Sequence, residues 1–215
     1  MDRWAVIRQA AARVITDFEV KVKRSAFTPE AGSHACLGEI ARHCFELAVT
    51  PDGSLDERRI GCLDDCLGIT YWPGLAPDRR DFTIAHEIGH KALNHPPRGE
   101  PDPSEDVDDL PAISALQGQS GAAPAYDSRD CYELEANVFA AELLAPVARV
   151  RQRTVEQSGW TLDGLARYFG LSRDAMANQL TAALLPGPVD QEAVLCRTRA
   201  TGANSSAANT LASSS

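Results

Sequence analysis

Residues 82–90 read FTIAHEIGH, with two histidines and a glutamate set among apolar residues. His86 and His90 are four residues apart, so on an α-helix both imidazoles lie on one face, one turn apart. Two neutral imidazoles so placed can occupy adjacent positions around a tetrahedral zinc ion. Glu87 follows the first histidine directly and is placed to accept a proton from a metal-bound water. The stretch therefore predicts a buried helix that binds Zn²⁺ through the two histidines and has Glu87 as its catalytic base.

Gly89, inside this helix, and His95, just after it, lead to further expectations. Gly89 lies inside the predicted helix, where glycine costs about 1 kcal/mol relative to alanine. Its presence indicates that another part of the chain approaches the helix backbone closely. His95 lies five residues after His90, about 140° further round a continuous helix, which predicts a helix cap or a solvent-exposed residue and not a ligand.

A third protein ligand is expected from residues 131–146, CYELEANVFAAELLAP. Glu133 shares a helix face with Asn137 and with small or apolar residues, so that face is predicted to be buried. Glu135 shares its face with Glu142, which predicts a solvated surface. Because a ligand must point inward, Glu133 is the preferred third ligand and Glu135 is its rival. Asn137, one turn after Glu133, is placed to hydrogen-bond a metal-binding histidine.

Composition sets broader limits on the class of protein. The chain has 215 residues, 44% of them hydrophobic and 24% charged, which suits one globular domain with a small appendage. The net charge of −9 disfavours non-specific binding to nucleic acid. No stretch approaches the roughly 20 apolar residues of a membrane span, and no secretory signal is recognisable. We therefore expect a cytoplasmic protein with no membrane partner.

Periodicity and breaker residues divide the chain into segments. The expected helices cover residues 3–20, 36–48, 78–94 and 130–150, with two or three short helices in 160–185 and a strand at 67–72. Residues 96–127 are rich in acids, proline and glycine and are expected to form an acidic surface loop. Residues 201–215 are uncharged and small, which predicts a disordered tail.

Residues 82–90 and 133–146 together resemble the ImmA/IrrE family of metallopeptidases, and the similarity extends loosely over residues 36–185. The resemblance implies an α+β fold: a thermolysin-like zincin core with a small mixed sheet and the HExxH helix. It implies Zn²⁺ bound by His86, His90 and Glu133, with Asn137 in a supporting position. The implied division is a metallopeptidase domain at 1–150, followed by a helix-turn-helix-like segment at 155–186.

The same resemblance implies a substrate class. Members of this family cleave helix-turn-helix repressors, so the expected partner is a repressor or an antitoxin in a stress-response or mobile-element switch. The strand at 67–72 is the expected sheet edge that aligns the substrate peptide. The alternative is a non-catalytic regulator that binds DNA or a protein through its C-terminal helices. DNA binding is not favoured, because the second of those helices has Arg173 as its one cation.

Overall fold

The structure is a computed structural model, and it describes residues 3–28, 30–64, 68–96, 128–156 and 159–184. The expected acidic loop and C-terminal tail lie outside these residues, except for Pro96. The helices are α1 (Arg3–Val22), α2 (Leu37–Phe45), α3 (Pro77–Ala92), α4 (Ser128–Leu144), α5 (Val147–Glu156), α6 (Leu162–Phe169) and α7 (Arg173–Leu184). A short 3₁₀ helix (Ser33–Cys36) precedes α2. The strands are β1 (Val49–Pro51), β2 (Gly61–Asp64) and β3 (Gly68–Tyr71).

The three strands form one small mixed sheet in the order β1-β3-β2. β1 pairs parallel with β3, and β2 pairs antiparallel with β3 in a register that sets Gly61 opposite Tyr71. The fold is therefore mixed α+β, mostly helical with a small mixed sheet, as the sequence predicts. The expectation that the strand at 67–72 is a sheet edge is wrong, because β3 pairs on both sides. In the described part of the chain, β1 and β2 are the edge strands.

One hydrophobic core joins the helices to the sheet. α1 buries the face that carries Ile7, Ala11, Val14 and Phe18, whose spacing matches the helical period, and it packs against α4. α4 in turn packs against α3, and α3 also contacts β2 and β3. The largest fully buried apolar side chains are Phe18, Phe139, Phe169, Ile40, Ile69, Ile88, Leu143, Leu144, Leu165 and Met176. Each of these stabilises the fold by about 1.5–3 kcal/mol through burial. The segment of α3 that carries His86 and His90 thus lies between the sheet and α4.

The C-terminal helices α6 and α7 pack onto the same core. Thr161 caps α6 by accepting a hydrogen bond from the Gly164 amide at 3.0 Å, and Gly170 ends it with a φ of 69°. In α7, Gln179 is buried and donates to the carbonyls of Ala141 and Ala145 at 3.0 and 2.8 Å. These bonds attach α7 to the end of α4. No helix among the described residues is long and apolar enough to cross a bilayer.

Candidate metal centre

The two histidines of α3 face each other inside the protein. Their side chains are 4% and 7% exposed, and His86 Nε2 lies 2.9 Å from His90 Nε2. The rings meet edge to face, with centroids 4.7 Å apart. The four-residue spacing on one helix produces this arrangement. Both Nε2 atoms therefore point at one small volume beside α3.

Glu133 brings a carboxylate from α4 to the same volume. Its Oε2 lies 3.1 Å from His86 Nε2, and its Oε1 lies 3.5 Å from His90 Nε2. Among the described residues, His86, His90 and Glu133 form the group of side chains that could share one metal ion. Two ligands bound at about 2.0–2.1 Å to a tetrahedral ion are about 3.4 Å apart. The separations of 2.9–3.5 Å lie around that value, so these donors fit a metal ion.

Asn137 holds the first histidine. It lies one turn after Glu133 in α4, is buried, and places Oδ1 2.8 Å from His86 Nδ1. Because an amide oxygen accepts hydrogen bonds, His86 Nδ1 carries the proton and Nε2 keeps its lone pair for a metal. The position expected for Asn137 from the helix face is the position that the structure gives it.

His95 contacts the second histidine, contrary to the expectation of an exposed residue or a simple cap. Its side chain is 4% exposed and its Nδ1 lies 3.0 Å from His90 Nδ1. The prediction extended α3 too far: the helix ends at Ala92, and Asn94 has a φ of 54° that turns the chain back. The amide of His95 then donates to the His90 carbonyl at 3.0 Å. This turn brings the His95 ring beside the site.

Glu135 of α4 contacts the other ring nitrogen of His95. Its Oε2 lies 3.0 Å from His95 Nε2, and its other oxygen accepts from Arg3 of α1. The expectation that Glu135 lies on a solvated face is wrong, because α1 covers that face and leaves Glu135 9% exposed. Burial lowers the pKa of His95, while the hydrogen bond to Glu135 raises it in part. The net decrease favours a neutral His95 imidazole.

Glu87 is buried between α3 and the sheet. It is 2% exposed, and it lies so close to β2 that a Cβ built on Gly61 would be 3.2 Å from Glu87 Oε1 and 2.4 Å from Thr83 Cγ2. Glycine at position 61 therefore allows the edge strand to approach the helix at the residue that follows His86. The carboxylate and the edge strand lie side by side.

Gly89 sets the distance between α3, which carries the two histidines, and α4, which carries Glu133. A Cβ at this position would be 3.1 Å from Phe139 Cδ1, 3.2 Å from the Ala136 carbonyl oxygen and 3.3 Å from Ala136 Cα. The close approach predicted from the sequence is thus confirmed, and the approaching element is α4. This contact brings Glu133 to the histidines of α3.

Comparisons with known proteins support the fold. No family model and no curated protein sequence matches the chain. Among solved structures, the chain is similar to a Mycobacterium tuberculosis transcriptional regulator, with a TM-score of 0.54 and 21% sequence identity. The similarity covers 81% of this chain and 46% of the regulator's chain, so this chain spans less than half of that protein's length. At this identity the likeness concerns the fold alone.

Proposed function

We propose that the protein is a zinc-dependent endopeptidase with a zincin core, of the kind found in the ImmA/IrrE metallopeptidases. The observation that carries the proposal is the convergence of two imidazole nitrogens and one carboxylate within 3.5 Å of one another. Two imidazoles with one carboxylate suit zinc better than magnesium or calcium, which prefer oxygen ligands. Three protein ligands leave the fourth position of a tetrahedral zinc for water, as in catalytic zinc sites.

With zinc bound, the polar side chains around it would have defined roles. A bound zinc ion would supply a water of lowered pKa and polarise the substrate carbonyl. Glu87 accepts the proton of that water at its carboxylate and passes it to the leaving amine nitrogen. Asn137 holds the proton on His86 Nδ1, which keeps the ring oriented. Burial of Glu87 keeps bulk water from competing for that proton.

The edge strand β2 offers a place for an extended substrate. Trp72 donates to the Ile60 carbonyl at 2.9 Å, and hydrogen-bonded pairs alternate along an antiparallel ladder. The main-chain groups of Gly61 and Leu63 therefore face away from β3. A peptide that pairs with this edge would run beside Glu87. This role, expected of the strand at 67–72, is assigned here to β2.

The proposed substrate is a helix-turn-helix repressor or an antitoxin, on the basis of the resemblance in residues 82–90 and 133–146. The proposed location is the cytoplasm, where such repressors act. The test is co-expression with a repressor encoded beside the protein. The wild type should cut the repressor, and Glu87→Gln should leave it intact while retaining zinc. Equal cleavage by both proteins would refute the peptidase assignment.

The second candidate is a regulator that keeps the metal fold but acts through α6 and α7. It is favoured by the structural similarity to a transcriptional regulator. The charges on α6 and α7 disfavour DNA binding. Arg173 lies 3.5 Å from Asp163, and α7 has no other cation to contact phosphate. A mobility-shift assay with the protein's own promoter separates the two candidates. Tight binding that persists after zinc removal would favour the regulator.

A further inference from the structure

A chain of polar contacts connects the second histidine to the N-terminal helix. It runs from His90 Nδ1 to His95 Nδ1 at 3.0 Å, and from His95 Nε2 to Glu135 Oε2 at 3.0 Å. Arg3, the first described residue of α1, donates to the other oxygen of Glu135. His95, Glu135 and Arg3 belong neither to the histidine motif of α3 nor to the proposed set of metal ligands. Three elements that are distant in sequence thus meet behind His90.

The direction of each hydrogen bond follows from what each group can donate. One oxygen of the Glu135 carboxylate accepts a hydrogen bond from Arg3 and the other accepts from His95, so His95 Nε2 carries a proton. A neutral imidazole has one N–H, so His95 Nδ1 is an acceptor. His90 Nδ1 must then donate to it. With its proton on Nδ1, His90 presents the lone pair of Nε2 toward Glu133 and His86.

The ring of His95 is held in this position from both sides. Its centroid lies 5.0 Å from that of His90 and 4.7 Å from that of Tyr132. Its side chain is 4% exposed, and that of Glu135 is 11% exposed, so water competes little for either hydrogen bond. The ring therefore cannot turn without breaking both hydrogen bonds.

We propose that His95 is a positioning residue that fixes the Nδ1–H form of His90, and that Glu135 and Arg3 hold His95 in place. The inference rests on the metal site of the proposed function but not on peptidase activity. It gives the two histidines different supports, since His86 Nδ1 contacts the amide oxygen of Asn137, whereas His90 Nδ1 contacts an imidazole. Loss of such outer hydrogen bonds weakens metal binding about 10- to 100-fold in known sites.

Two substitutions at one position test the proposal. His95→Phe keeps a flat ring against Tyr132 and removes the acceptor for His90. His95→Asn loses the ring but places an amide oxygen near the former position of Nδ1. Zinc affinity, measured by competition with a chelator on the full chain, should fall about 10- to 100-fold in His95→Phe. His95→Asn should recover most of that loss.

A role in packing alone predicts the opposite order, because phenylalanine fills the space better than asparagine. Equal affinities for His95→Phe and wild type, or a weaker site in His95→Asn than in His95→Phe, would overturn the proposal. The imidazole proton gives a second measurement that does not depend on affinity. In ¹H–¹⁵N spectra of the zinc-loaded chain, His90 Nδ1–H should be downfield and slow to exchange in wild type and His95→Asn. In His95→Phe it should move upfield and exchange faster, and an unchanged signal would refute the hydrogen bond.

These measurements also separate the inference from the proposed function. A wild type that binds zinc and shows the His90 Nδ1–H signal, yet cuts no repressor, would refute the peptidase and leave the role of His95 intact. A wild type that cuts its repressor without that signal would refute the role of His95 and leave the peptidase intact.

Discussion

Replacing Gly89 with alanine tests whether close contact between α3 and α4 builds the site. The added Cβ would be 3.1 Å from Phe139 Cδ1 and 3.2 Å from the Ala136 carbonyl oxygen. Both neighbours are fully buried, and one of the contact atoms belongs to the backbone of α4. The helices must therefore separate by a few tenths of an ångström. That displacement exceeds the tolerance of about 0.2 Å for metal–ligand distances, so Glu133 should lose register with the histidines.

The expected magnitude comes from two opposing effects. Alanine in place of glycine inside a helix stabilises by about 1 kcal/mol. Overpacking of a well-packed core costs about 1–3 kcal/mol. The net effect of Gly89→Ala should be a loss of about 0–2 kcal/mol in the free energy of unfolding. Gly38→Ala is the matched control, because Gly38 is an exposed helical glycine of α2 with nothing within 4 Å of an added Cβ.

The assay is urea unfolding of both variants and wild type in the presence of a chelator, followed by circular dichroism. Gly38→Ala should be stabilised by about 0.5–1 kcal/mol. Gly89→Ala should be less stable than Gly38→Ala by about 1–3 kcal/mol, the cost of overpacking. Its zinc affinity should also fall, whereas that of Gly38→Ala should not change. If Gly89→Ala gained as much stability as Gly38→Ala, the helices would not be in close contact and the reasoning would fail.

Three further substitutions test other parts of the fold by urea unfolding. Thr161→Ala removes the cap of α6 and should cost about 0.5–2 kcal/mol; an unchanged midpoint would show that the cap is not formed. Gly170→Ala forces a Cβ to within 2.6 Å of His34 Cβ at a φ of 69°, and it should cost at least about 1–2 kcal/mol; a smaller loss would contradict the left-handed turn. Burial raises the pKa of the Glu142 carboxyl, although the charge of Arg8 opposes the increase. The folded state therefore binds the carboxyl proton more tightly than the unfolded state does. The stability that this proton contributes is lost as pH rises from the ordinary pKa through the raised one. Relative to wild type, Glu142→Gln should therefore gain stability as pH rises above 4.5, the ordinary pKa of the group, and a difference that does not vary with pH would contradict this.

The features that the sequence predicts are those that depend on local spacing. His86 and His90 share a face because a helix repeats every 3.6 residues, and the same rule sets Asn137 one turn after Glu133. The need for a close neighbour at Gly89 follows from the low helix propensity of glycine. These inferences require no knowledge of how the helices pack.

The features that the sequence did not predict depend on distant contacts. β1 and β2 have three and four residues and contain proline, glycine and aspartate, which are poor strand formers. Their formation depends on pairing with β3. The burial of Glu135 follows from the packing of α1, which begins 132 residues earlier in the sequence. The position of His95 depends on where α3 ends, and helix ends are the least certain part of any periodic pattern.

The metal content of the purified protein tests the central claim most directly. Wild type, Glu133→Gln and Glu135→Gln should be equilibrated with buffered zinc and analysed by elemental mass spectrometry, with protein quantified on the same samples. We predict one zinc ion per chain in the wild type, almost none in Glu133→Gln, and partial to full occupancy in Glu135→Gln. A Glu133→Gln protein that retains a full equivalent of zinc, or a wild type that binds none, would contradict the account.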